Sequence, residues 1–527
     1  MARAADPTRK GEFNKSFLPH APREGSPRTR TLFNCWPDAP HGEWLQLTVF
    51  GCAVLLPLGI YTLWLLSSPG TKSIPDSPSG SSFHLETAPI FVQLRIFILV
   101  FSMVLPKWFG LAARASSLWS SQAGQAADRP TYTKNAVTAI GTLQTWYNQT
   151  DGLWDTTGWW NSANCLTVLA DFATQADNAQ SLDIPSVIAN TFDNAQKLVV
   201  TAQKSMLSSG LVQSRYVVVN QVDAHSLVAE GFPSFLNDYY DDEGWWALAL
   251  VRSWDLVQEP AYLDMAQNIF EDMKKGTDDV CGGGIWWSKD RGYKNAIANE
   301  LYLSLAASLA NRVPDKKDYY LDIAEKEWDW FRNSGMINEN NNINDGLTIN
   351  PDGSCVNNNL TAWSYNQGVV LGGLVELHKA TSGALSSSRY GDEATRDYSS
   401  SSDGHRGRSP YLHEANTIAK AGIKLLSDSD GVIHDVGCEP NCGSDGNQFK
   451  GIFMRNLGYL HDAAPQAAYK ESILANADSI WAKDRNTENN QLGVVWSGPF
   501  DVGGGPTAAT HSSATDALVA AIVAAGW

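Results

Sequence analysis

Apolar residues recur at helical spacing in twelve segments of this chain: 133–148, 161–177, 183–208, 240–256, 259–275, 293–311, 315–334, 362–380, 410–427, 448–462, 465–483 and 510–526. No convincing series of alternating strands competes with them. Loops rich in Gly, Trp and Asn separate alternate helices, at Asp151–Asn161, Cys281–Gly292, Asn338–Asn359 and Asn490–Gly505. A superhelical array would carry a regular sequence period, and none stands out. The pattern predicts an all-α (α/α)6 barrel, a toroid of six helical hairpins whose inner helices line a central cavity.

The remaining chain divides by composition. Residues 1–130 read as an N-terminal extension, and 131–527 as the barrel domain. The first 40 residues are basic and rich in Pro. An apolar run at 44–66 is long enough to span a bilayer, though Pro57 interrupts it. A Ser/Pro/Gly-rich connector follows. The second apolar stretch, 90–106, leads to Ala113-Arg114-Ala115, which resembles a secretory signal with a small-residue cleavage site. This favours delivery of the body to the secretory pathway, secreted or at the cell surface or cell wall, with the residues before the signal-like segment either a membrane anchor or a wrongly fused upstream exon. A Ser-rich stretch at 382–410 reads as a disordered insertion between helices.

The formal net charge of −17 and the lack of a basic stripe in the body argue against a nucleic-acid partner. Seven cysteines are present, with Cys35 and Cys52 in the extension. Cys438 and Cys442 flank a Glu-Pro-Asn turn and can close a small disulfide loop. Cys281 and Cys355 form a second candidate pair, which leaves Cys165 free. No second Cys or His pair stands at zinc spacing, so neither a metal nor another cofactor is expected. Asn148 and Asn359 open glycosylation sequons, in keeping with an extracellular body.

The chemistry concentrates at Tyr239-Tyr240-Asp241-Asp242-Glu243-Gly244-Trp245-Trp246. Paired carboxylates are the minimal equipment for cleaving a glycosidic bond, and aromatic faces stack on sugars. The bland alternative is a helix start, where acidic residues complement the dipole. Neighbours on a helix point about 100° apart, so mid-helix the two carboxyls would diverge. In a first turn both can reach one cavity, and close like charges push one pKa upward. Around this pair the sequence offers Trp286 and Trp287 after a triglycine as a stacking rim. It also offers Asn295 and Asn299 at i, i+4 on the next helix, and Tyr365, Asn366 and Gln367 opening another. Aromatics beside neutral hydrogen-bonders suggest a saccharide groove.

These motifs, in this order, resemble glycoside hydrolase family 76, the fungal-type endo-α-1,6-mannanases. The resemblance rests on the acidic run at 239–246, Gly-Gly-Ile-Trp-Trp at 283–287, Asn-Glu-Leu at 299–301 and Tyr-Asn-Gln-Gly at 365–368, and covers roughly 131–527. It implies an (α/α)6 barrel and retaining endo-cleavage of α-mannan, with transglycosylation onto an acceptor sugar as a further outcome. It makes Asp241 the nucleophile and Asp242 the acid/base, acting as a monomer on α-mannan polysaccharide or a mannosylated glycan. Two rival readings keep the same residues. One is a non-catalytic mannan-binding or wall-structural protein. The other treats Asp241-Asp242-Glu243 as a metal-diphosphate motif, for which no second metal motif is present.

Overall fold

The computed structural model describes residues 127–176, 182–220, 234–382, 409–500 and 502–526. The extension, both of its apolar runs and nearly all of the expected 382–410 insertion lie outside them. No helix among the described residues is long and apolar enough to cross a membrane.

Among the described residues, twelve long helices carry the fold: α1 Arg129–Leu143, α2 Trp159–Gln175, α3 Ile184–Ala195, α4 Tyr240–Val257, α5 Pro260–Met273, α6 Ala296–Arg312, α7 Lys317–Asn333, α8 Ser364–Ser382, α9 Pro410–Leu426, α10 Phe449–Ala463, α11 Ala467–Lys483 and α12 Ala508–Ala524. The even-numbered helices pack each against the next, and α12 returns to α2, so they close a ring. The odd-numbered helices lie outside it against their even-numbered neighbours. This is the (α/α)6 barrel.

Burial explains which helix goes where. The inner helices are buried around nearly their whole circumference: α6 has every residue from Ala296 to Ala310 in the interior, and α12 nearly every one from Ala508 to Ala524. A helix without a polar face has to be surrounded. The outer helices keep one wet face, as in α7, where Tyr320, Ala324, Trp328 and Phe331 turn inward while Lys326 and Asp329 stay out.

Close helix contact in the ring needs small residues. A Cβ at Gly451 on α10 would sit 2.5 Å from Cα of Ser513 on α12, and one at Gly368 on α8 would sit 2.6 Å from Cα of Phe453 on α10. Backbone, unlike a side-chain tip, cannot swing aside. Two disulfides lie within the loops, Cys281–Cys355 and Cys438–Cys442, while Cys165 is buried and free.

Among the described residues, six strands pair as three antiparallel hairpins: β1 Tyr147–Asn148 with β2 Leu153–Trp154, β3 Leu198–Met206 with β4 Val212–Asn220, and β5 Leu347–Ile349 with β6 Cys355–Asn357. The second of these corrects the sequence reading. The helix expected over 183–208 stops at Ala195, and its second half is strand β3. The run Val199-Val200-Thr201 is β-branched, and it faces an equally β-branched Val217-Val218-Val219 in register. Such residues lose side-chain freedom in a helix and pack well on a pleated surface.

Gly451→Ala should therefore force the α10–α12 contact apart, at a cost of about 1–3 kcal/mol of overpacking strain. A thermal midpoint unchanged from the parent protein would show that the ring is looser than described.

Candidate active site

Because inner and outer helices alternate in direction, the first turns of α2, α4, α6, α8, α10 and α12 gather at one end of the toroid, together with the long loops that precede them. Helix α4 begins there with Tyr240, and Asp241, Asp242 and Glu243 form its first turn. Unpaired N–H groups and the helix dipole favour negative charge at such a place. The helix-start reading and the site reading thus describe the same residues.

Asp241 and Asp242 converge on one cation. The ammonium of Lys204 donates to Oδ1 and Oδ2 of Asp241 at 3.1 and 3.2 Å, and to Oδ1 of Asp242 at 2.6 Å. Each carboxylate has further partners. The indole of Trp287 donates to Asp241 Oδ2 at 2.9 Å, while Tyr216 Oη (3.0 Å) and Asn237 Nδ2 (2.6 Å) donate to Asp242 Oδ2. Asp242 is fully buried and Asp241 nearly so.

The environments of the two differ. Burial pushes the Asp242 carboxyl up to about 7, with Lys204 opposing and Asp241 adding to the rise. Lys204 is held above its ordinary range, because Asp241, Asp242 and Asp445 together outweigh the burial that would lower it. Glu243 belongs to a separate arrangement. It accepts the backbone N–H of Asn237 at 3.0 Å and pairs with Lys289 at 2.9 Å, and burial raises it to about 8. It braces the loop before α4 and faces no shared point with the pair.

Behind Asp241 lies a second acidic group. Asp345 accepts from Tyr293 Oη at 2.6 Å, and burial lifts it to about 7, with Asp241 contributing. Glu300 on α6 is fully buried, its carboxyl oxygens have no hydrogen-bond partner among the described residues, and burial followed by Asp345 raises it far above the carboxylate range. Tyr365 stacks on Phe449, 3.9 Å between centroids, within electrostatic reach of Asp241, Asp345 and Glu300. Asn366 is buried with both amide atoms unpartnered among the described residues.

Several residues expected to bind sugar do something else. Asn299 accepts the N–H of Ile285 at 2.7 Å and donates to its carbonyl at 3.1 Å, and Gln367 treats Ile343 the same way, at 2.8 Å for both contacts. Asn476 and His511 capture the N–H groups of Ile433 and Leu492. All four of these apolar residues sit on β-bridges that follow an outer helix, at Thr277–Ile285, Ile337–Ile343, Ser427–Ile433 and Arg485–Leu492. One device, repeated after four of the outer helices, pins the return loop through a buried amide or imidazole. A buried backbone group needs such a partner, so these amides are spent on structure. Asn295 caps α6 by accepting from Ala298 N. Trp286 is buried, its indole donating to Asp278 at 2.6 Å, which leaves Trp287 as the half of the pair that meets the acids.

Sequence reasoning missed Lys204, Tyr216, Asn237, Asp345 and Asp445. The first two ride on the unexpected hairpin. Asp345, in Ile343-Asn344-Asp345-Gly346, carried no signal beyond an acidic residue in a polar loop.

The fold and the site together define an (α/α)6 protein with the paired-carboxylate equipment of a glycosidase. The chain belongs to Glycosyl hydrolase family 76, whose sequence profile matches residues 131–525. It is similar to mannan endo-1,6-alpha-mannosidases of Candida albicans, at 26% identity over 61% of this chain and 62% of that protein, and of Saccharomyces cerevisiae, at 28% over 49% and 54%. The chain thus spans roughly half to three fifths of the length of these relatives. Among solved structures it shares its fold with the α-1,6-mannanase of Salegentibacter sp. HEL1_6, at a TM-score of 0.56 and 19% identity, covering 75% of this chain and 99% of that one. It shares it equally with Dfg5 of Chaetomium thermophilum, solved with glucosamine, at a TM-score of 0.56 and 17% identity over 76% and 92%.

The buried acids make stability pH-dependent. Asp242 and Asp345 (about 7) and Glu243, Glu327, Asp484 and Asp516 (about 8) all titrate above their unfolded values, chiefly through burial. A raised acid binds more protons folded than unfolded, so its contribution is complete below about pH 4 and lost as pH rises through the folded value. His511, lowered to about 4 by burial, opposes this below about pH 6.5, as do His378 and His461, which burial also lowers. The thermal midpoint should fall by several degrees between pH 5 and pH 8.5. A midpoint that rises over that interval would contradict the placement of these acids.

Proposed function

We propose that this chain is a glycosidase that cleaves α-1,6-mannosidic linkages within mannan chains, with Asp241 and Asp242 as its working pair. The convergence of these two carboxylates on a single ammonium carries the reading. Groups that share one cation lie nearer the roughly 5–5.5 Å spacing of retaining enzymes than the roughly 6.5–9.5 Å of inverting ones. The substrate class rests on family membership and on the mannanases the chain resembles. One of these, the Salegentibacter enzyme, was solved with α-1,6-mannotriose as an inactive variant in which two consecutive aspartates are replaced.

The chemistry is a double displacement. A carboxylate oxygen of Asp241 attacks the anomeric carbon as its bond to the leaving oxygen breaks, and Asp242 gives that oxygen its proton. Asp242 then takes a proton from water, whose oxygen displaces Asp241 from the same carbon. The product keeps the α configuration. An acceptor sugar in place of water yields transglycosylation by the same steps. Asp242, protonated to about pH 7 by its burial, suits the acid role. The pair meets lysine, indole, phenol and amide donors, a setting that suits a glycoside better than a metal-bound diphosphate.

Residues 131–527 would form the catalytic domain. Two disulfides and the exposed sequon at Asn359 support a secreted or cell-surface location, with the N-terminal extension as the means of delivery or attachment.

Asp241→Asn and Asp242→Asn should each lower turnover of linear α-1,6-mannan by at least about a thousandfold with thermal unfolding retained. In the parent protein, kcat/KM should decline as pH rises through about 7, where Asp242 of the free protein loses its proton. Near-parental activity in either variant would remove that residue from the reaction.

A further inference from the structure

The hairpin β3–β4 lies between outer helix α3 and the acidic turn of α4, and its strands pair over nine residues each. Its two faces differ. Gln203, Ser205, Gln213, Arg215 and Val217 are exposed, while Ala202, Lys204, Ser214 and Tyr216 turn inward. The inward face is laid on the acid pair. The Lys204 side chain is only 2% exposed, with its ammonium on both carboxylates and 4.5 Å from the centroid of the Tyr239 ring. Tyr216 adds its phenol to Asp242.

The far end of the hairpin is tied across the barrel mouth by three hydrogen bonds and by Leu211, which is buried at the tip. Ser209 O accepts from Thr361 N at 3.4 Å and Thr361 Oγ1 at 2.8 Å, on the loop before α8, and Ser214 O accepts from Ser444 Oγ at 3.4 Å, before α10. The strap therefore runs from the α3 side to the α8–α10 side, over the point where the two carboxylates meet.

A sugar ring attacked by Asp241 cannot share that point with an ammonium 3.1 and 2.6 Å from the two acids. The ammonium also supplies what the reaction creates there. Glycosidic cleavage passes through an oxocarbenium-like state, with positive charge at the anomeric carbon between the carboxylates. We propose that hairpin β3–β4 is an autoinhibitory strap and that Lys204 is its latch, occupying the subsite as an internal competitor that lifts before mannan enters. This rests on Asp241 and Asp242 being the working pair. A latch that holds most molecules closed reduces apparent substrate affinity by the open fraction.

Lys204→Met keeps the length of the side chain and removes its charge, leaving two buried carboxylates unpaired beneath the strap and favouring release. It should raise kcat/KM on linear α-1,6-mannan at least about tenfold, mainly through a lower KM. The complementary variant carries Ser209→Cys with Thr361→Cys, joining the strap tip to the loop it rests on. Oxidised, it should lose activity and substrate binding; dithiothreitol should restore both, with the parent protein under the same reductant as reference.

An unchanged or lower kcat/KM in a folded Lys204→Met variant would overturn the latch, a fall in kcat alone marking Lys204 as an aid to the acids. Full activity of the crosslinked protein would overturn the strap even if Lys204→Met failed to fold. Absence of hydrolysis in the parent, the Lys204→Met variant and the reduced double variant alike would instead overturn the working pair, and the latch with it.

Discussion

Six helices buried on every side leave only their ends free for chemistry, and everything else in this molecule follows from that. An outer helix returns the chain between successive inner helices, so the inner helices run in one direction and six first turns meet at one mouth. Each brings unpaired N–H groups and a positive dipole end. Acidic side chains placed there gain from the helix while being drained of water by the ring. The same burial that makes Asp242 hard to ionise makes it a proton donor near neutrality.

Charge compensation then sorts the acids by task. Glu243, one residue on from the pair, is answered by Lys289 and a backbone N–H, and serves the fold. Asp241 and Asp242 are answered by a lysine from a separate hairpin, outside the helical ring. A counter-ion on a removable element is a different thing from one on the scaffold. It allows the pair to be stable in the resting protein and available when the hairpin moves, and the neutral donors Trp287 and Asn237 stay behind to orient the acids.

Much of the architecture was legible in the sequence, because helical periodicity survives wherever a helix has a defined buried surface. Eleven of the expected helices recur with boundaries shifted by a few residues, and the exception is instructive. Over 183–208 the apolar spacing fits a helix, but Val199, Val200 and Thr201 are β-branched, and their partners at 217–219 lie too far along the chain to be seen as a pair. The acidic pair was legible through its neighbours and its place at a helix start. The amides at Asn299 and Gln367 were misread because a polar residue on an inner helix can face a cavity or a loop backbone. Only the loop's path, through Ile285 and Ile343, tells which. Lys204 was invisible for the same reason as its strand.

The central claim, that Asp241 and Asp242 cleave α-1,6-mannan by double displacement, is tested most directly by watching the anomeric proton of the newly formed reducing end by NMR during hydrolysis of linear α-1,6-mannan. The account predicts that α-mannose ends appear first and β ends grow in only by mutarotation. Initial release of the β anomer would contradict it, since the two carboxylates would then be working across a water rather than through a covalent intermediate.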